Sequence, residues 1–300
     1  MENTMKNIRR TRGDRVFDAI NVFLLCILLI VVLYPLIYVL SCSFSDPLTV
    51  VQSKIRLLPQ KPTLIAYQRV FRNELVMSGY KNTILYTLLG TALNVVVTTM
   101  TAYPLSRRDF ALRRPFTMLV AFTMLFSGGM IPTFLVVKAL KLIDTIWALL
   151  LPGAMSAWNM FIMKNYFQTS IPAELYEAAC IDGADNFHIL LNVVLPLSAP
   201  IVAVMVLYYG VAHWNSYWNA LLYLRDRARY PLQLVLRSFF SANDYSEQGG
   251  AAGDSGMDAL LVAETMKYAL IVVASGPILC LYPLLQRFFV KGVMLGAIKG

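Results

Sequence analysis

Six apolar runs free of Asp, Glu, Lys and Arg divide this chain, at about Ile20–Leu40, Ile84–Leu105, Phe116–Val137, Ile146–Met163, Val193–Leu224 and Tyr268–Gln286. Each approaches the roughly 20 residues that a helix needs to cross the hydrocarbon core of a bilayer. The pattern predicts an all-α membrane protein with six transmembrane helices. The polar remainder is short: a tail over 1–16, a loop at Ser106–Arg114, a segment of about 169–192, and two longer pieces, Phe44–Gly79 and about 225–267. Residues 17–300 then form one transmembrane domain. Several runs carry helix breakers, at Ser127–Pro132, at Pro196 and Pro200, and at Ser275–Pro277. Such breaks are tolerated where neighbouring helices or a wet cavity satisfy the freed backbone groups.

Composition supports the bilayer as solvent. Of the 300 residues, 58% are hydrophobic and 14% charged, well below the roughly one quarter charged of soluble domains. The first run follows Arg9, Arg10, Arg12 and Arg15 as a signal peptide would, but it is too long and lacks a small-residue cleavage site, so an uncleaved helix is expected. Cys26, Cys42, Cys180 and Cys280 stand singly, at no metal-site spacing, and read as packing residues.

The net charge of +9 does not by itself set the topology, because Lys and Arg divide nearly evenly between the two sides. Density does. The N-terminal tail and "SRRDFALRR" place basic residues hard against span ends, where the positive-inside bias acts. Both termini, that loop and segment 169–192 are then cytoplasmic. Nucleic-acid binding finds no support, since no soluble domain presents the Arg residues among aromatics.

The most informative polar stretch is "EAACIDGADNFHILLNVVLPL", Glu177 to Leu197. Pro172 suits the first turn of a helix, Ala173 to Asp182 favour helix, and Gly183 can take the left-handed conformation that ends it. Asp185 can cap a second short helix through His188 toward the next span. The expected product is a cytoplasmic helix–turn–helix. Ala178 and Ala179 keep one side slim, while Glu174, Glu177 and Asp182 offer charge. A connector merely resting on lipid would favour Lys and Arg on its polar face rather than carboxylates.

Glu177-Ala178-Ala179, Gly183, Val193 and Leu195-Pro196 follow the pattern Glu-Ala-Ala, three residues, Gly, nine residues, aliphatic, any residue, Leu-Pro. This resembles the EAA loop of ABC-importer permeases, with Val193 where Ile is usual. "LYPLIYVLSCSFSDP", "TAYPLSRRDF", "FTMLFSGGMIPTFLVVKAL", "WNMFIMKNYFQTSIPAELYEAACIDGA" and "HWNSYWN" extend the resemblance to MalG-type carbohydrate permeases, in particular the branch for complex or polysaccharide-derived oligosaccharides.

The resemblance implies a type I ABC-importer permease bundle with cytoplasmic coupling helices, in a bacterial inner membrane. It implies that Glu174, Glu177, Ala178, Ala179, Asp182, Gly183, Asp185, Leu195 and Pro196 serve coupling to an ATPase. It also implies the partners: a second, MalF-like permease, two ATPase subunits, an extracytoplasmic solute-binding protein and an oligosaccharide substrate. The chain itself has no G-x-x-x-x-G-K-[ST] phosphate loop. ATP and Mg are therefore expected in the ATPase partners, with no cofactor or catalysis here.

An ion-coupled carrier or channel is the alternative from another class, and an ABC importer for a non-sugar solute the alternative within it. Carriers place ionisable groups inside the membrane, where this chain has only His213. His188 and His213, the two histidines, fall on opposite sides of the expected membrane and have no neighbours at a metal-ligand or nucleophile spacing. "YYGVAHWNSYWNALLY" reads either as an interfacial aromatic belt or, by family resemblance, as a helix beside the translocation path with His213, Asn215 and Asn219 toward the solute. The external loops hold more bases than acids, with Arg225, Arg227 and Arg229 closely spaced. Long loops translocate regardless of charge, yet a positive entrance would also draw an acidic, uronate-type oligosaccharide.

Overall fold

The computed structural model of the chain describes residues 12–52, 54, 57–241 and 261–280. Among them helix is the only regular secondary structure. They fall into two compact units, one within Met1–Val70 and Asn243–Val272, the other within Phe71–Ala242 and Val273–Gly300.

In the first unit, α1 (Arg12–Ser43) is a 32-residue helix, charged in its first turns and apolar on every side from Val22 onward. Its outward Phe23, Leu28 and Ile30 are each more than half exposed, the surface of a helix solvated by lipid or by another apolar chain. Only its end is buried, at Ser41, Cys42 and Ser43. There the chain turns back: the Ser45 hydroxyl donates to the Ser41 carbonyl at 2.7 Å, and the Thr63 amide to the Phe44 carbonyl at 2.8 Å. Two short helices follow, α2 (Pro47–Val51) and α3 (Ile65–Arg72).

The second unit is built on α4 (Glu74–Ser106), 33 residues long. Asn73 caps it, accepting from the Val76 amide at 3.2 Å. Its buried face carries Gly79, Thr83, Gly90, Thr91, Asn94, Thr98 and Thr99, small and hydroxylated residues that let membrane helices approach closely. Next come α5 (Arg113–Leu125) and α6 (Met130–Ala139), bent by 116° across the Ser127-Gly128-Gly129 break. Gly129, at φ +82°, makes the turn there. Then follow α7 (Trp147–Leu150), α8 (Ala157–Ser170), α9 (Ala173–Ile181) and α10 (Asn186–Ile189).

A π-helical turn, Leu190–Val194, leads into α11 (Leu195–Leu197), and an 84° bend at Ser198 into α12 (Ala199–Trp214). Pro196 and Pro200 flank the bend, each removing a backbone donor. The bundle closes with α13 (Trp218–Tyr223) and α14 (Leu232–Phe240). A last helix, α15 (Leu261–Cys280), belongs to the first unit up to Val272 and to the second from Val273 on. The core of the second unit joins Met160, Met163 and Phe167 of α8 to Ile189, Leu190, Val194, Met205 and Tyr209.

Six continuous spanning helices are not what the described residues show. Three helices are long and apolar enough to cross a membrane, and up to five if each bent pair is one span. The fourth expected span is the one that fails: Pro152 and Gly153 stop α7, and Ser156 starts α8 afresh by accepting from the Asn159 amide. The last helix is already formed at Leu261, the first described residue there and earlier than its apolar run, so Glu264 and Lys267 lie on helix and pair at 2.9 Å. Part of the expected outer loop 225–267 is likewise helical, as α14 and the start of α15. The glycine-rich run Ser241–Gly256, beyond Ser241, lies outside the described residues. Of the four cysteines read as packing residues, Cys42 is buried, whereas Cys26, Cys180 and Cys280 are exposed.

Candidate functional site: the coupling loop

α9 ends as the sequence dictates. The Ala184 amide donates to the Ala179 carbonyl at 3.0 Å and the Gly183 amide to the Cys180 carbonyl at 3.1 Å. With Gly183 at φ +78°, this is a Schellman closure, which satisfies the last carbonyls of the helix. Two residues on, the Asp185 carboxylate accepts the His188 amide at 2.8 Å and starts α10. Loop 169–192 is therefore a helix–turn–helix whose central turn is capped from within on both sides.

Its outward face is open. Glu174, Glu177, Ala178, Asp182, Gly183 and Asp185 are all exposed. So are apolar groups that a solvated loop would not select: Ile181 at 87% and Phe187 at 59%, with Leu175 beside them. Exposed apolar residues rimmed by carboxylates are the composition of a docking surface. The two alanines of the Glu-Ala-Ala triplet divide their tasks. Ala178 faces outward, whereas Ala179 packs into the core of its own unit together with Tyr176. Leu195 also packs inward and Pro196 sits at the bend, so these two shape the approach to α12 rather than the open face.

One interaction at this site was not legible as such in the sequence. Arg107, at the end of α4, is 12% exposed and grips Asp109 through two hydrogen bonds, Nε to Oδ1 at 2.9 Å and Nη2 to Oδ2 at 2.7 Å. The guanidinium lies 4.7 Å from the ring centroid of Tyr176 on α9. The Asp109 carboxyl is held below its ordinary pKa, chiefly by the hydrogen bond from Arg107. Burial pushes the Tyr176 phenol up to about 12, and its hydroxyl makes no hydrogen bond. Opposite charges two residues apart, with Tyr103 four residues before Arg107, were the available signal.

The path candidates lie in different settings. His213 packs into a notch left by Gly90 of α4, and its Nε2 lies 3.3 Å from the Asn94 side-chain oxygen. Asn94 donates onward to the Gly153 carbonyl at 2.7 Å. Four residues earlier on α12, the Tyr209 hydroxyl lies 2.7 Å from that of Thr98 and accepts the Ser156 amide at 3.2 Å. His213 thus belongs to a polar seam between α4 and α12. Asn215 is exposed at the end of α12, where it donates to the Val211 carbonyl and accepts from Gln233. Asn219 is partly buried on α13.

The three arginines expected as a positive patch are exposed, but they are not equivalent. Asp144, in the left-handed region at φ +61°, accepts the amides of Arg225 and Asp226 at 3.1 and 3.3 Å. Those bonds hold its carboxyl below the ordinary carboxylate range. The Arg229 guanidinium bonds the Asp144 carbonyl and pairs with the carboxylates of Asp144 and Asp226, both at 3.6 Å. Arg229 is thus part of a clasp. The sequence offered one clue, that Asp144 is the single acid between Phe116 and Met163.

An apolar helical bundle that presents a carboxylate-rimmed helix–turn–helix with exposed Ile181 and Phe187 has the make-up of a membrane subunit with a docking surface. The comparisons with known proteins define the class further. Residues 95–294 match the family described as "Binding-protein-dependent transport system inner membrane component". The chain is 44% identical over 288 residues to the polygalacturonan/rhamnogalacturonan transport system permease protein YtcP of Bacillus subtilis (strain 168), covering 96% of this chain and 99% of that one. It is 40% identical to protein LplC of the same organism, over 99% of both chains. A solved bacterial ABC transporter, involved in the import of the acidic polysaccharide alginate, contains a chain that superposes with a TM-score of 0.85 at 36% identity, covering 93% of this chain and 99% of that one.

The chain belongs to the family of binding-protein-dependent transport system inner membrane components. It is a non-catalytic, multi-pass permease subunit of an ABC sugar importer with the type I permease fold. It works with a second permease, ATPase subunits and a solute-binding protein. The carrier and channel alternatives fall with that membership.

Proposed function

We propose that this permease imports an acidic, uronate-type oligosaccharide, handed over at its outer face by the binding protein and driven through by ATP hydrolysis in its partners. The observation that carries the substrate class is the high identity, over nearly the full length, to a polygalacturonan/rhamnogalacturonan permease. The likeness to an alginate importer chain points the same way. Both named cargoes are polymers that contain uronic acid, and Arg225 and Arg227 supply exposed positive charge on an outer turn, where a positive field concentrates anionic solutes.

In this reading the chain lies in the bacterial cytoplasmic membrane with both termini inside, so that α9 and α10 face the cytosol. ATP and Mg are used in the ATPase subunits, with no cofactor held by this chain. Glu174, Glu177, Ala178, Asp182, Gly183 and Asp185, with Ile181 and Phe187, form the surface that enters the ATPase groove. Ala179, Leu195 and Pro196 hold that surface to α12. His213, Asn215 and Asn219 lie beside the path.

The test is uptake into proteoliposomes carrying the full complex and its binding protein, comparing an oligogalacturonate with a neutral oligosaccharide of equal length. Preference for the acidic sugar is expected. Arg225→Gln with Arg227→Gln should slow its uptake more at low salt than at high, because exposed charges are screened. Preference for the neutral sugar would overturn the acidic assignment and leave the family assignment standing.

A further inference from the structure

α4 is held by polar side chains at both ends, and each end grips a different functional loop. At its N-terminal end the Ser78 hydroxyl and the Asn82 amide donate to the Ala228 carbonyl at 2.8 and 2.7 Å. Tyr86 donates to the Arg229 carbonyl at 2.9 Å, and the Leu232 amide donates to Thr83 at 2.7 Å. These bonds tie α4 to the outer turn that Asp144 clasps. At its C-terminal end Arg107, fixed by Asp109 and by a 3.3 Å hydrogen bond to the Tyr103 hydroxyl, lies against Tyr176 of α9. The Gln168 amide adds a bond to the Ser106 carbonyl at 3.2 Å. Between these ends run 33 residues of helix, about 50 Å at a rise of 1.5 Å per residue.

We infer that Arg107 is a positioning residue that clamps the coupling helix to the end of α4, so that a displacement of the outer turn reaches α9 as a shift of one stiff rod. The planar guanidinium does two jobs here. Its edge is taken by the Asp109 carboxylate in fork geometry, which leaves its face for the tyrosine ring, where a cation is attracted to the π system. Asp109 alone would satisfy an arginine that only folded the loop after α4. The Tyr176 contact adds a link between segments 69 residues apart, and the phenol contributes its ring alone, since its hydroxyl is buried without a partner. Lysine offers neither the fork nor the flat face.

The inference rests on the reading of α9 as the coupling helix, and the experiment separates the two. The quantity measured is the ratio of ATP hydrolysis with and without loaded binding protein, in the complete complex in nanodiscs, with subunit stoichiometry checked by co-purification. Arg107→Ala and Tyr176→Leu should each lower the ratio roughly fivefold or more, the scale of a typical coupling between sites. The double variant should be no worse than the worse single one, as expected when both remove one contact. Tyr176→Phe should match wild type. If Arg107→Ala does not assemble, Arg107→Lys serves in its place, and a reduced ratio is expected there too.

Wild-type stimulation in an assembled Arg107 variant, additive losses in the double variant, or loss in Tyr176→Phe equal to that in Tyr176→Leu would overturn the clamp. Gly183→Leu is run in parallel. If it uncouples while the Arg107 variants do not, only the clamp fails; if it too is stimulated normally, the coupling-loop reading fails with it.

Discussion

Gly183 allows the proposed docking role of loop 169–192 to be separated from its folding. The residue sits at φ +78°, where an L side chain costs about 1–2 kcal/mol. Replacing Gly by Ala also lowers the entropy of the unfolded chain, a gain of about 0.4–1 kcal/mol. The net cost of Gly183→Ala is then roughly 0–1.6 kcal/mol. A Cβ built at this position meets nothing within 4 Å. Gly183→Ala therefore adds no clash inside the subunit, and because the position is exposed a leucine side chain can turn outward, so the stability of Gly183→Leu should lie close to that of Gly183→Ala.

Asn tolerates the left-handed region better, so Gly183→Asn should be the mildest of the three. The proposed docking predicts a different order in the assembled importer, where a leucine would meet the surface that receives the loop. Thermal unfolding of the detergent-solubilised subunit measures the first effect; ATPase recruitment and stimulated hydrolysis in the complex measure the second. Equal Tm for Ala and Leu, with stimulated hydrolysis falling much further for Leu, is expected. Equal coupling in Ala and Leu would refute the close approach of a partner at Gly183, and a much lower Tm for Leu would refute the open space around it.

Two further outcomes follow from the packing. At Gly90 a Cβ would lie 2.5 Å from two atoms of the His213 ring, so Gly90→Ala should destabilise the seam between α4 and α12 by about 1–3 kcal/mol. Adding His213→Ala should recover part of that loss; strictly additive Tm shifts would show that the two residues do not share the notch. At the Asp144 clasp, Asp144→Asn should loosen the turn carrying Arg225 to Arg229. Because the folded carboxyl titrates below its unfolded value, its contribution is complete above the ordinary Asp range of about 3.9 and is lost only as pH falls through the lower folded value. The Tm difference between wild type and Asp144→Asn should thus stay constant from about pH 8 to pH 5; a difference that vanished within that window would contradict the capping geometry.

Much of the coupling loop was legible because its signals are local. Pro172, Gly183 and Asp185 act on backbone within a few residues, and their consequences, a helix start, a left-handed stop and a second cap, follow from φ, ψ and hydrogen bonds that need no distant partner. The apolar runs similarly marked α1, α4 and the bent α5–α6 pair, since solvation by lipid acts on each residue separately. The same reasoning misjudged the fourth run: hydropathy sums over composition and takes no account of where Pro152, Gly153 and Ser156 interrupt hydrogen bonding.

By itself, the sequence determined the solvent of the chain, the helix-forming segments, the capped turn at Gly183 and the family. The tertiary structure alone decided which groups meet across long separations. Ala179 turned inward while Ala178 stayed out, because the pitch of α9 places adjacent residues about 100° apart and the core lies on one side only. Arg229 became part of a clasp because Asp144, 85 residues away, was folded against it. Arg107, one basic residue among several when read in sequence, acquired a ring to rest on when α9 was laid across the end of α4. Charge and polarity are properties of a residue, but a pairing belongs to the fold, and no spacing along the chain encodes a contact that exists only after the helices have packed.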